Sequence, residues 1–576
     1  MSQKQASKYS ERFWNKNYDQ YVQPDIEFEE KTLADTLKDS VRNYPNSIVY
    51  EFMGATSTYE EFEKNVISFA NFLRENGIKK GDKIAINLPN CPQYLVALYG
   101  GFYNGCIISG LNFLLTPNEI IYQVSDCGAK VMVTMDSFYE ENVRKALISG
   151  KTQVKIVVTT NISDMMDLNP IKKFLGKVLN KIPSGKVEPI EGLQFFDFKE
   201  ILEEFPDSNP PNVIINPEED LCFLQYTGGT TGPPKGAMLT HQNEFCNIQQ
   251  VSHWWEIDVK FGEDIYISGF PFFHLAGLFM GLGSIYYGGT QLLIPNPRDT
   301  DHMVDLIEKW KPDVMVNVPT LYMMLLDNPK FSEIDVSSIR LYISGAAPFP
   351  AESIKRFEKV VGKHKVLEVY GMTEAAPIVT ANPYVGERKI GTVGFPVSNT
   401  DVKIVEVENK DKELPIGDAG EIVIKGPQIF HGYWNKPKET DHALRDRWFY
   451  SGDVGIIDED GYLRIVDRTK DMINVSGFKV FSVEVDNKMS KHPAVDLAST
   501  IGVPDPDRPG SEKVKLYIKL KPGYEADEKT KSELKEFAKN NLAKYKVPEI
   551  IDLVEDIPLT SIGKIDKRAL RSREQE

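Results

Sequence analysis

Three stretches of this chain run a short β-rich segment straight into a loop of glycine, proline and small residues. They are LCFLQ before YTGGTTGPPKG (residues 221–236), DVMVNVPT (313–320) and RLYISGAAP (340–348). KIAINLPN (83–90), KVMVTMD (130–136) and KIVVTTN (155–161) add further strands of the same kind. Near-continuous apolar runs need cover on both faces, and helices joining parallel strands supply it. One such helix is readable behind Thr58, where Glu61 completes a capping box. Phe62, Val66, Phe69 and Leu73 follow at helical spacing, and Gly77 sits where the helix should stop. The expectation is an α/β fold with largely parallel sheets and ligand-binding loops at the carboxyl ends of strands.

At 576 residues the chain exceeds what one hydrophobic core serves, so two or more domains are expected. The texture changes near residue 401. DVKIVEVENK, GEIVIKGP and GYLRIVDRTKD are short, charged, alternating strands joined by Gly and Asp turns, the pattern of an antiparallel sheet. A smaller α+β unit follows residue 470. In it KVKLYIKLKPG sets Val514, Leu516, Ile518 and Leu520 against lysines, and residues 529–542 hold a helix with Leu534, Phe537, Ala538 and Leu542 on one face. The expected domains are 1–469, with a β-rich subdomain at about 395–469, and 470–576.

A net charge of −16 leaves no basic excess to neutralise phosphates, which excludes nucleic acid as a general partner. Five widely spaced cysteines, with no CxxC pair, favour buried thiols in a reducing compartment over disulfides or zinc. The first twenty residues have no apolar core of a secretory signal, so a cytoplasmic protein is expected. Residues 94–115 and 265–295 carry no Asp, Glu, Lys or Arg. Their internal glycines, asparagines and prolines suit buried helix–turn–strand units better than membrane spans.

The loop at 226–236 is not a Walker A sequence, because Lys235 follows two prolines and precedes Gly236. It still has the parts of an oxyanion cradle. Glycines let backbone N–H groups converge, Thr227, Thr230 and Thr231 offer hydroxyls, and Lys235 offers a point charge.

TGGTTGPPKG resembles the signature loop of the adenylate-forming enzymes, which include acyl-CoA synthetases, luciferases and peptide-synthetase adenylation domains. Companion motifs stand in the family's order: SGAAP (344–348), YGMTE (370–374), YSGD (450–453), DRTKDMINVSGFKVFSVEVD (467–486) and PLTSIGKIDKRAL (558–570). GCIISGLNFLLTPNEI (105–120) fits an N-terminal family segment. The similarity covers nearly the whole chain.

The resemblance implies a two-step reaction with ATP, Mg²⁺ and coenzyme A. Thr227, Gly228, Gly229, Thr230, Thr231 and Lys235 would hold the β- and γ-phosphates. Gly345, Ala346, Ala347, Glu368, Val369, Tyr370, Gly371 and Met372 would line the adenylate. Thr373 would meet the α-phosphate, Glu374 with Thr227 would bind the metal, and Asp453 with Arg468 would take the ribose. Lys564 would sit between carboxylate and α-phosphate, where negative charge accumulates. Lys470 matches the hinge about which the small, mobile C-terminal domain turns, and that rotation would bring the Gly477 loop to the pantetheine tunnel.

On the acyl side, His274 in PFFHLAG matches an aromatic position at the pocket mouth. Gly277, Gly281 and Gly283 either leave room for an apolar acyl group or permit tight helix packing. Val369 departs from the Gly or Ala usual before YG, which argues against a straight, deep tunnel. Residues 170–186 place Ile171, Phe174, Leu175, Val178, Leu179 and Ile182 at helical spacing among Lys172, Lys173, Lys177 and Lys181. Such a helix either lies on a membrane surface or packs on its own domain with its lysines solvated. The expected partners are therefore a medium- to long-chain fatty acid, a membrane surface and a second copy of the chain. The rival activities are an aryl-CoA ligase for benzoate- or cinnamate-like acids, an acyl-AMP ligase loading a carrier protein, a luciferase-type oxygenase and a catalytically dead nucleotide-binding homologue.

Overall fold

The computed structural model describes residues 8–179, 181–206, 209–227, 233–476, 478–508, 510–560 and 564–574. Two large sheets share one continuous apolar core. The first has seven strands, in the order Gln194–Asp197, Ile156–Thr160, Val131–Met135, Lys83–Asn87, Ile107–Gly110, Leu221–Thr227, Lys235–Thr240. All its pairs are parallel except the last, a hairpin that closes one edge. The second has nine strands. Its centre is parallel, running Val366–Gly371, Leu341–Ser344, Val314–Asn317, Ile265–Ser268, Thr290–Leu293, Ile48–Phe52, and antiparallel strands finish both edges.

Helices Tyr59–Glu75, Pro92–Tyr103, His241–Trp254 and Leu275–Tyr286 contribute to the core that both sheets share. The capping box at Thr58 and Glu61 forms, and Phe62, Val66, Phe69 and Leu73 are fully buried. The uncharged stretches fold as helix–strand or strand–helix–strand units. Among the described residues no helix is long and apolar enough to cross a membrane.

Strands Asp401–Val405, Gly420–Lys425, Leu444–Arg445, Trp448–Ile457 and Leu463–Arg468 form an antiparallel sheet. Beyond it, Val495–Pro504, Glu512–Leu520 and Ile550–Leu553 make a three-stranded sheet with its own core, built on Val485, Met489, Val514, Leu516 and Leu534. The face that the lysine alternation assigns to solvent is partly covered. Lys515 is buried because the chain's last turn brings Glu574 to 2.7 Å and the neighbouring strand brings Asp552 to 2.9 Å.

The segment 170–186 also differs from expectation. Its helix is only Pro170–Val178, and Ile182 lies beyond it, buried. Unlike Ile182, the apolar side chains of the helix itself do not pack on their own domain. Phe174 is 67% exposed and Ile171 71%.

Candidate active site

The hairpin Leu221–Thr227/Lys235–Thr240 carries the glycine-rich loop at its tip. Thr227 and Lys235 face each other at the end of the ladder, and the hydroxyl of Thr227 points to the Lys235 carbonyl at 3.5 Å. Gly228, Gly229, Thr230 and Thr231 lie outside the described residues. The hairpin is held from both sides. Tyr226 donates to Asp126 at 2.6 Å and Tyr122 to the Pro234 carbonyl at 2.9 Å. Across it runs the segment 430–434. The His431 amide donates to the Met238 carbonyl and the Met238 amide to the Gly432 carbonyl, each at 2.9 Å, and the Trp434 amide donates to the Gly236 carbonyl at 2.8 Å.

That crossing delivers a residue the motifs do not contain. The hydroxyl of Tyr433 donates to Oε1 of Glu374 at 2.7 Å, while the Lys235 ammonium sits 4.8 Å from the Tyr433 ring centre. The Phe430 amide donates to the Glu374 carbonyl at 3.0 Å. Lys235 and the Glu374 carboxylate are thus tied through one aromatic ring, a cation–π contact on its face and a hydrogen bond at its edge. Burial raises the pKa of Glu374, and the Tyr433 hydroxyl opposes the rise. Thr373 begins the short turn that holds Glu374. Among the described residues no cluster of three His, Cys, Asp or Glu could cage a metal. A single oriented carboxylate fits Mg²⁺, which binds through one or two carboxylates and substrate phosphates.

A second cluster lies where the nine-stranded sheet meets the antiparallel one. Tyr370 donates to Oδ2 of Asp453 at 2.8 Å, and Arg468 meets Oδ1 at 3.1 Å. Asp453 and Arg468 are register partners on adjacent strands, so the sheet itself sets their spacing. Each carboxylate oxygen keeps a lone pair for another donor. Ser344, beside Gly345, has a buried hydroxyl with no partner among the described residues. Glu368, on the adjoining strand, is buried and pushed up to about 8 by desolvation. Ala346 adopts a left-handed backbone at φ 66°. Gly371 cannot be replaced without movement, because a Cβ there would lie 2.0 Å from the Pro377 carbonyl oxygen.

Lys564 enters this cluster from the C-terminal unit. Its turn is pinned by two bonds to Thr560: the Thr560 amide to the Lys564 carbonyl at 2.7 Å, and the Lys564 amide to the Thr560 hydroxyl at 3.1 Å. Burial, with Arg468 nearby, pushes its ammonium down to about 8. His274 is pushed down to about 3 by burial, with Lys564 adding to the effect. It is therefore a neutral imidazole, and its Nδ1 accepts from the Ala276 amide at 3.2 Å as the cap of helix Leu275–Tyr286. Lys470 lies next to the cluster, its pKa lowered by burial and by Arg468. Gly477 lies outside the described residues.

The three glycines after His274 separate. A Cβ on Gly277 would meet the Pro271 carbonyl oxygen at 2.2 Å, and one on Gly281 would press on Phe272. At Gly283 the nearest atom would be Tyr287 Cε2 at 3.8 Å. Gly283 lines a narrow apolar slot with Phe279, Met280, Val251 and Ile343, between two helices and the nine-stranded sheet. Its free volume is about 30 Å³, room for little beyond a water molecule. Tyr384, Asp258 and Arg340 are also in its wall. The guanidinium of Arg340 is gripped by Asp258, Asp264 and Asp313 at 2.5, 2.6 and 2.7 Å. Val369 is not among the lining residues. Its side chain would lie 2.9 Å from a Cβ on Gly345.

Comparison with known proteins matches residues 37–434 to the AMP-binding enzyme family and residues 484–564 to the AMP-binding enzyme C-terminal domain. This chain belongs to the AMP-binding enzyme family. Two relatives named long-chain-fatty-acid–CoA ligase are similar end to end. The one from Bacillus subtilis (strain 168) is 36% identical, covering 98% of this chain and 99% of its own. The one from Escherichia coli O6:H1 is 35% identical, covering 94% of each. Among solved structures, the anthranilate CoA ligase AuaEII in complex with anthranoyl-AMP superposes with a TM-score of 0.81 at 25% identity, covering 95% of this chain and 98% of that one. The mixed α/β architecture is that of the adenylate-forming enzymes.

Tyr433, Trp434 and Asp126 escape a reading by motif. Each acts through tertiary contact across a large sequence separation, as Tyr433 does on Glu374 and Trp434 on the Asp126 carbonyl. The only local mark of Tyr433 and Trp434 is an aromatic pair after a glycine, and Asp126 has none.

Proposed function

We propose that this chain is an AMP-forming acyl-CoA ligase whose acid is a medium- to long-chain fatty acid. ATP and coenzyme A are its co-substrates and Mg²⁺ its metal. The observation that carries the reading is Lys564, a buried ammonium beside the Tyr370–Asp453–Arg468 cluster and His274. The relatives named long-chain-fatty-acid–CoA ligase support the class of acid.

In this reading Asp453 and Arg468 hold the ribose, and the Gly345–Ala347 loop and Tyr370 hold the base. Lys235 and the glycine-rich loop hold the outer phosphates. Mg²⁺ would be held by Glu374, with Thr227 at the loop, and when bound it supplies positive charge to the phosphates. The acid's carboxylate is brought to the α-phosphorus beside Lys564, whose charge offsets the repulsion between the two anions. Its oxygen forms the new P–O bond as the bond to pyrophosphate breaks. The neutral ring of His274 bounds the carboxylate site without adding a second charge. The acyl tail runs along helix Leu275–Tyr286 into the slot beside Gly283, displacing the flexible Met280. In the second step the CoA thiolate displaces AMP from the acyl carbon. Rotation of the C-terminal unit about Lys470 would withdraw Lys564 and present the Gly477 loop.

Pyrophosphate release with a panel of acids from acetate to oleate, plus benzoate and ferulate, tests the reading. Activity should rise with chain length and need CoA for turnover. A preference for the aromatic acids would replace it with the aryl-CoA reading, and full turnover without CoA would replace it with a carrier-protein ligase.

A further inference from the structure

Helix Pro170–Val178 is mounted inside out. Asn169 caps its start, accepting from the Lys172 amide at 2.8 Å. Its Gly176 side faces the protein, since a Cβ there would strike buried Ile182 at 2.5 Å. Lys173 also turns inward, reaching the Asp164 carbonyl at 3.4 Å. Ile171, Phe174, Leu175, Val178 and Leu179 are 48–71% exposed on the opposite arc. Lys172 and Lys181 are exposed beside them. Residues 168–187 hold five lysines and no Asp or Glu, in a chain of net charge −16.

An apolar face of this size left in water needs a partner. Its basic border, within an acidic protein, selects a partner that is apolar beneath and negative at the surface. We infer that this helix docks on a phospholipid bilayer carrying anionic headgroups, with its apolar arc at the acyl boundary and its lysines at the headgroups.

Contacts run from the helix to the mouth of the site. The segment after the helix rests on Asp136–Phe138: Asn161 bonds both the Pro183 carbonyl and the Asp136 carboxylate, and Gly185 lies against the Asp136 backbone. Phe138 stacks on Phe113 at 5.3 Å, and Phe113 packs edge-on against Phe273, the neighbour of His274, at 5.7 Å. Docking would bring the site's entrance to the phase in which a fatty acid dissolves. This use of the surface rests on the fatty-acid reading, whereas the docking itself does not.

The test is co-sedimentation of the full chain with vesicles of phosphatidylcholine alone or mixed with phosphatidylglycerol. Binding is expected to the mixed vesicles and to weaken with added salt. Each lysine near an anionic surface multiplies affinity about fivefold, so Lys172→Glu with Lys181→Glu should reduce binding more than tenfold. Phe174→Ser with Leu175→Ser should abolish it. Both variants should keep pyrophosphate release with a water-soluble acid, which separates loss of docking from loss of folding or of the proposed reaction. Equal binding by the Phe174/Leu175 variant, or no binding by the parent chain, would overturn the inference. So would a dimer that this variant converts to monomer, since a second copy would then cover the face.

Discussion

The site has two halves built in opposite ways. On the large-domain side, Glu374, Tyr433, Tyr370, Asp453 and Arg468 are fixed by bonds of 2.7–3.1 Å and by sheet register, and Lys235 lies over the Tyr433 ring. On the other side, Lys564 stands on a turn closed by its bonds to Thr560, the Leu559–Ile565 bridge and a bond from the Asp566 amide to the Pro558 carbonyl, and the slot beside Gly283 is nearly filled by its own side chains. Contacts that tie Lys564's unit to the large domain include the exposed ion pair Lys479–Glu408 at 2.5 Å and the buried Asp467 carboxylate, which accepts from the Ser482 amide and, at 3.0 Å, from the Ser482 hydroxyl. The exposed pair contributes at most about 1 kcal/mol, so the buried one carries more of the tie. The contrast teaches that one half is set by the register of a sheet, whereas Lys564 is delivered by a separate unit joined to it through few contacts.

The largest effect should come from the half that carries Lys564. Lys564→Ala should lower the acid-dependent exchange of pyrophosphate into ATP by about 10³-fold, the cost of one transition-state donor. Thioester formation from supplied acyl-AMP should stay within about threefold. Equal loss of both steps would mean that the unit does not exchange roles.

Next is Gly283→Leu. It should cut kcat/KM for long acids by about 10²-fold while leaving short acids unchanged. It should also lower thermal stability, because the leucine overfills a slot of about 30 Å³ at a cost of about 1–3 kcal/mol, which its gain in helix propensity of about 1 kcal/mol does not offset. Equal loss for all acids would place the tail elsewhere.

Tyr433→Phe probes the large-domain half. Loss of its bond to Glu374 should cost about tenfold in kcat/KM for Mg·ATP and raise the Mg²⁺ concentration needed. An unchanged Mg²⁺ requirement would separate Glu374 from the metal.

The smallest effect is in the pH profile. In the proposed reaction adenylation needs Lys564 charged, and burial has brought its pKa down to about 8. kcat/KM should therefore be flat below that pH and fall as pH rises through it, approaching tenfold per unit. His274, near 3, adds no inflection above pH 5. A flat profile up to pH 10 would return Lys564 to an ordinary solvated lysine.

What the residues disclosed in advance follows the same division. Strands such as Val131–Met135 and helix Tyr59–Glu75 were legible because local periodicity and capping determine them. The residues that gather at the site were legible as an ordered set of motifs. Tyr433 was not, because its role exists only once the 430–434 segment crosses the hairpin. Gly277 and Gly283 read alike in sequence. They differ in what faces the missing side chain, a carbonyl in one case and a cavity in the other. Helix Pro170–Val178 shows the same limit: spacing gives an amphipathic helix but not which side is turned outward.

A slot that rests shut has a consequence for selection. On the proposed path of the tail, a short acid would gain nothing from a pocket it cannot prise apart, while a long one would wedge Met280 aside and then profit from every further methylene. Turnover plotted against carbon number should climb as a stair, with its riser at the first chain that reaches Met280, and level off where the tail meets the carboxylate-bound guanidinium of Arg340.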